Sequence, residues 1–123
     1  MADAGLFIGW GPVVRGREQR ALEVFNEAMQ YYSELQQKKE IESFEVTLLE
    51  QHGGDLAGFI LIRGETERLA RLRNDQEFQR LQIRAQLCID NIGVVGALIG
   101  GGVTRAMGDY TQELEKLKSA IAV

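Results

Sequence analysis

The chain has one cysteine, one proline and one histidine in 123 residues, and each scarcity removes a class of chemistry. Cys88 has no second thiol to pair with, so no internal disulfide staples the fold and no oxidising compartment is indicated. With His52 and Cys88 far apart, only carboxylates remain as metal ligands and no metal-site spacing exists; no metal and no cofactor are expected. The longest apolar stretch, residues 92–103, falls short of the ~20 residues that a membrane-spanning helix needs, so its Gly96-x-x-x-Gly100 spacing is not a membrane dimerisation motif. Basic excess is missing too: the formal net charge is -4, which argues against nonspecific nucleic-acid binding and an anionic membrane partner. No basic region precedes the short apolar run near the N-terminus, and the expectation is a cytoplasmic protein. The length fits a single domain, residues 1–123.

What is present is pattern. Residues 41–64 read as two antiparallel strands around a polar turn. In the first run, Phe44, Val46 and Leu48 alternate with Glu45, Thr47 and Leu49 over residues 44–50, the period-two signature of a strand. The second run, residues 59–62, is apolar on both faces, and Gly53 and Gly54 supply the reversal between them. Residues 6–10 form a further short apolar run ahead of Gly11-Pro12 and suit a strand.

Helical spacing fills the intervals. Over residues 17–38 the positions Ala21, Phe25, Ala28, Tyr32 and Leu35 make one apolar face and the glutamates lie elsewhere. A short helix is expected over 65–73 with Leu69 and Leu72 inward, and a second to about residue 89, opened by an Asn74/Glu77 capping box. Cys88 falls on the inward side of that second helix and reads as a small buried hydrophobe. Residues 92–103 carry five glycines, which favours a buried fourth strand over a helix. Thr104 is then placed to cap a last helix over 105–121, whose Met107, Tyr110, Leu114, Leu117 and Ile121 form a narrow seam in want of a partner surface.

The order strand, helix, strand, strand, helix, strand, helix is an α+β arrangement, the ferredoxin-like βαββαβ unit with an extra C-terminal helix. Both main helices of that unit cover one sheet face, so the other should turn polar if it meets water. It does not: whichever parity faces the helices, the other keeps large apolar residues, since Phe7 opposes Leu6 and Ile8, Leu49 opposes Leu48, Ile60 and Ile62 oppose Phe59 and Leu61, and Val95 and Ile99 oppose Val94 and Leu98. A bare apolar patch of this kind calls for a second sheet, and a homodimer through the sheet faces is expected.

The Gly-Trp-Gly-Pro-Val-Val-Arg-Gly-Arg-Glu stretch ahead of the first long helix, the Phe-Glu-Val-Thr-Leu-Leu-Glu-Gln-His-Gly-Gly-Asp-Leu-Ala-Gly-Phe hairpin and the Asp-Gln-Glu-Phe-Gln-Arg-Leu segment complete this pattern. Taken with the element order, they resemble the dimeric α+β barrel superfamily, and within it a group of short bacterial proteins with no assigned activity. The resemblance implies two ferredoxin-like sheets forming a barrel between subunits. It also implies a choice among cofactor-independent monooxygenases, haem enzymes, small-ligand sensors and proteins of unknown role, because the fold does not fix the chemistry.

Candidate site residues follow from the strand faces. With Phe44, Val46 and Leu48 toward the helices, Glu45 and Thr47 point into the barrel, where Arg63 or Trp10 can supply a donor to the carboxylate. Trp10, Glu45, Thr47 and Arg63 are thus expected to give the polar lining of a mostly apolar pocket for a small organic ligand; the alternative is a structural pair at the dimer interface. On the first reading, Glu45→Gln and Arg63→Met abolish ligand binding and leave the dimer intact. His52, with Asp55 on the hairpin turn, is the weak candidate for acid–base catalysis, against a plain loop role. Gly9-x-Gly11-x-x-x-x-Gly16 lacks both the dinucleotide spacing and Lys-Ser/Thr, so a phosphate loop is not favoured. The six arginines between Arg63 and Arg84 alternate with acids and read as a solvated face. Three functions remain: a small-ligand binder, a cofactor-independent monooxygenase or isomerase-type enzyme, and a non-catalytic assembly protein. The first two differ in whether a base such as His52 or Glu45 reaches the cavity.

Overall fold

The computed structural model describes residues 2–121. Its elements are β1 (Ala4–Trp10), α1 (Glu18–Gln37), β2 (Ser43–Leu48), β3 (Gly58–Gly64), α2 (Thr66–Arg73), α3 (Gln76–Gln86), β4 (Gly93–Leu98) and α4 (Gly101–Ile121). The four strands form one antiparallel sheet in the order β2-β3-β1-β4, the ferredoxin-like arrangement.

Strand register decides which side chains share a face. Leu6 pairs with Ile62 and Ile8 with Ile60 across β1 and β3, while Phe44 and Val46 of β2 pair with the same two isoleucines. All of these face α1 and α3, and Leu6, Ile8, Ile60 and Ile62 are each at most 4% exposed. From the helices come Ala21, Val24, Ala28, Tyr32 and Leu35 of α1, and Phe78, Leu81 and Ala85 of α3, which recur at the three- and four-residue spacing that puts them on one stripe. Tyr31 donates to the Asp75 carboxylate at 3.1 Å, and Arg84 reaches Glu27 at 3.0 Å and Glu77 at 3.2 Å, so the two helices are also tied by polar contacts. Burial, reinforced by the hydrogen bond to Asp75, pushes the Tyr31 phenol above its ordinary pKa.

The opposite parity stands on the sheet's second face. Phe7, Phe59, Leu61 and Val95 lie there, with Glu45, Thr47 and Arg63 on its β2 and β3 side. Phe7 can lay its ring back along β1 because position 9 has no side chain: a Cβ on Gly9 would sit 2.7 Å from the ring edge.

Three local expectations need correction. The cap of α3 is Asp75, not Asn74: the Asp75 carboxylate accepts from the backbone N–H of Glu77 at 3.1 Å and of Phe78 at 3.2 Å. Asn74 instead ends α2, its amide donating to the Ala70 carbonyl. The fourth strand stops at Leu98 rather than continuing to residue 103, and α4 begins at Gly101, three residues before Thr104. Gly100 makes the break at φ +51°, and Gly102 presses so closely on the Asp3 carbonyl that no Cβ fits. A contact from residue 3 to residue 102 leaves no trace in a local sequence window.

Candidate functional site

Between the helix-facing side of the sheet and α1 and α3 lies a cavity of about 400 Å³. Its origin is compositional. Ala21 and Ala28 on α1 and Ala85 on α3 face the sheet at positions where a leucine would fill the space, and Ile8, Ile60 and Leu81 complete the walls. Small side chains at these three positions leave this space between helices and sheet unfilled. It opens where Val13, Leu22 and Leu48 stand 41%, 55% and 69% exposed, with Glu18 at the rim.

The walls are almost wholly apolar, and the polar exception is a pair. Gln82 Nε2 donates to the Tyr32 hydroxyl at 3.3 Å, while Gln82 Oε1 is buried without any hydrogen-bond partner. Tyr32 is 1% exposed, and that burial raises its phenol pKa well above the ordinary value, so the group stays a neutral hydroxyl at physiological pH. Both residues line the cavity, but the Gln82 oxygen has no accessible surface of its own, so a ligand meets it only after the side chain turns. Trp10, the sole tryptophan, lines the same cavity and meets Phe25 edge to face, ring centroids 6.5 Å apart.

Of the residues singled out from sequence, the structure brings Trp10 to this cavity. Glu45, Thr47 and Arg63 do not line it; they occupy the other side of the sheet. There Glu45 pairs in register with Leu61 and Arg63 with Ser43, and no ion pair joins Glu45 to Arg63 among the described residues. His52 is engaged in its own loop. Its Nε2 lies 2.8 Å from the Leu56 carbonyl and its Nδ1 accepts from the Gly54 N–H at 3.2 Å, which together select the tautomer with the proton on Nε2. Neither His52 nor Glu45 reaches the cavity. Gln82 went unnoticed in the sequence because it is polar, yet it follows Phe78 by four residues and precedes Ala85 by three, which is inward spacing.

The glycine loop after β1 has its backbone donors committed elsewhere. Gly11 N–H donates to the Asp90 carbonyl at 2.8 Å and Val14 N–H to the Cys88 carbonyl at 2.9 Å, while the Pro12 carbonyl accepts from Asp90 N–H. A loop spent on strand-like pairing has no cradle left for a phosphate. Cys88 itself is fully buried and directs its Sγ at the carbonyls of Arg84 and Ala85. Among the described residues no group of three or more His, Cys, Asp or Glu is placed to hold a metal ion, and no helix is long and apolar enough to cross a membrane.

No protein-family model matches the chain, and no curated protein does. Solved structures match at low identity. A dimeric ferredoxin-like protein of unknown function from Jannaschia sp. CCS1 superposes with a TM-score of 0.61 at 16% identity, covering 78% of this chain and 98% of its own. A dimeric protein of unknown function and ferredoxin-like fold from Bacteroides fragilis gives 0.56 at 13% identity, over 78% and 96%. SnoaB, a cofactor-independent oxygenase from Streptomyces nogalater, gives 0.52 at 15% identity, over 80% and 95%. The fold is therefore that of the dimeric ferredoxin-like and α+β barrel proteins, as the sequence pattern led us to expect.

Proposed function

We propose that the protein is a small-molecule binder: each subunit takes a compact, mostly apolar organic ligand into the cavity between its sheet and its helices. The observation that carries this reading is the cavity of about 400 Å³ itself, almost wholly apolar in its walls and lined by Trp10, Tyr32 and Gln82. A ligand with a hydroxyl or carbonyl on one edge pairs with Gln82 or Tyr32 once the Gln82 side chain turns toward it, and the alanine-lined walls take its hydrocarbon part. The binding is placed on the helix side of the sheet and not inside an intersubunit barrel.

Binding is favoured over catalysis because, among the described residues, the one carboxylate lining the chamber is at its exposed rim. Tyr32 is held neutral, Gln82 does not titrate, and Glu18 stands exposed at the rim. The oxygenase-like alternative draws support from the likeness to SnoaB in fold alone. The chain is proposed to act as a homodimer through the second sheet face, with Phe7, Phe59, Leu61 and Val95 at its centre. Glu45, Thr47 and Arg63 then form the polar margin of that contact, with no part in the ligand pocket. Residence in the cytoplasm is part of the same proposal.

Titration of Trp10 fluorescence tests the ligand reading directly, with naphthol and naphthalene as probes. Both are expected to change the emission, naphthol binding about tenfold more tightly through one hydrogen bond in an apolar site. Gln82→Met should erase that advantage and leave naphthalene unaffected. Emission unmoved by either probe up to their solubility overturns the proposal.

A further inference from the structure

α4 is an amphipathic helix with nothing to pack on. It is anchored at its base, where Gly102 is buried against Asp3 and Arg105 pairs with the Asp3 carboxylate. From Met107 to Ile121 every residue is exposed, including all the large apolar ones. At 21 residues the helix extends for about 30 Å.

Its apolar positions are Val103, Met107, Tyr110, Leu114, Leu117 and Ile121, separated by alternating steps of four and three. That is an uninterrupted heptad seam in which Met107, Leu114 and Ile121 take the a positions and Val103, Tyr110 and Leu117 the d positions. A seam this narrow fits another helix and is too thin to cover a sheet. A membrane surface is the poorer fit, because Arg105, Lys116 and Lys118 are balanced by Asp109, Glu113 and Glu115, with no basic excess for an anionic bilayer.

The flanking positions choose both partner and direction. The g positions are Ala106, Glu113 and Ala120, and the e positions Thr104, Thr111 and Lys118. In a parallel pair each g residue meets the e residue five places further along the partner, which sets Glu113 against Lys118 of a second copy, twice by symmetry. An antiparallel pair sets g against g and e against e, and gains no opposite-charge contact from this sequence. A parallel pair also leaves both globular bodies at the same end, so that their bare sheet faces can meet about the same two-fold axis. An antiparallel pair holds the bodies at opposite ends of a rod of about 30 Å.

We infer that α4 pairs in parallel, in register, with α4 of a second copy of this chain, forming a three-heptad coiled coil that extends the subunit contact beyond the sheet. Spacing and charge on α4 are independent of the cavity; only the shared two-fold axis draws on the proposed dimer.

Disulfide trapping of the full chain tests it. In a parallel pair Leu117 faces Leu117 and Leu114 faces Leu114, so Leu117→Cys and Leu114→Cys should each move most of the chain into a covalent dimer on mild oxidation. The unsubstituted chain, whose Cys88 is buried, should stay unlinked. Glu113→Lys should weaken association severalfold, and Glu113→Lys with Lys118→Glu should restore it. Failure of both cysteine variants to link while helix content is unchanged overturns the inference. So does linkage seen only when Met107→Cys and Leu117→Cys chains are mixed, since that combination reports an antiparallel pair.

Discussion

Phe7 and Phe59 stack with ring centroids 5.0 Å apart and 28° between their planes, on the sheet face opposite α1 and α3. Each presents a large aromatic surface where a water-facing sheet would carry a polar residue. Phe7→Asp is expected to weaken subunit association by about a hundredfold or more, since it buries an unpaired carboxylate at the centre of the contact. Light scattering across micromolar concentrations reads the result. An unsubstituted chain that is monomeric throughout removes the contact from the account.

Filling the chamber is the sharpest separation of a ligand site from a packing accident. Ala85→Leu adds apolar volume inside existing walls, and is expected to add up to about 2 kcal/mol of stability, read as a higher melting temperature, while abolishing probe binding at Trp10. A variant that is stabilised yet binds as before places the ligand elsewhere.

Tyr32 predicts an alkaline limit. Its phenol is held above the ordinary tyrosine range when folded, chiefly by burial. Such a group holds its proton more tightly when folded, so its contribution is complete below the unfolded value and is lost as pH climbs from there through the folded one. Denaturant midpoints should therefore fall above about pH 10, by more in the parent protein than in Tyr32→Phe. Equal alkaline losses in the two proteins contradict the assignment.

Asp3 sets the acid side of the α4 base. The hydrogen bond from Arg105 is the largest cause holding its carboxyl below the ordinary carboxylate range. Here the sign reverses: the contact contributes fully above the ordinary carboxylate value and is lost as pH falls through the folded one. Carbon-detected titration should give Asp3 a midpoint under 3.8, returned to the ordinary range by Arg105→Gln. A midpoint that ignores the substitution means the pair does not persist in solution.

Asp75 serves two elements at once, capping α3 and accepting the Tyr31 hydroxyl. Asp75→Ala is expected to cost about 1–2 kcal/mol, and Asp75→Asn less, because the amide oxygen still caps. Chemical denaturation of the three proteins orders them; a loss within error of zero for the alanine variant rules out the double role.

The two faces of the sheet and the stripes of α1 and α3 were legible because both rest on local periodicity: Leu6 and Ile8 separate from Phe7, and Phe78, Leu81 and Ala85 fall on one stripe, without reference to distant residues, whereas which face of β1 meets the helices is set only by the assembled fold. The cap slipped by one residue, since Asn74 and Asp75 are both good caps and only backbone geometry separates them. The start of α4 depended on Gly102 fitting against Asp3, a contact between chain ends. The chamber was hidden for a different reason. An alanine at an inward position reads as core in any hydropathy pattern, and only the assembled helices reveal that Ala21, Ala28 and Ala85 leave one region unfilled. Glu45 and Arg63 drew notice as charges among apolar strands, whereas the unpaired polar atom belonged to Gln82, an uncharged residue on a helix.

The mouth at Val13, Leu22 and Leu48 lies across the sheet from the patch built on Phe7 and Phe59. Two subunits joined through that patch hold their chambers back to back, each with its own door to solvent and a full layer of β-structure between them. In the proposed dimer, occupancy of one chamber is then expected to leave the other's affinity untouched, with saturation following a simple hyperbola for two equivalent sites.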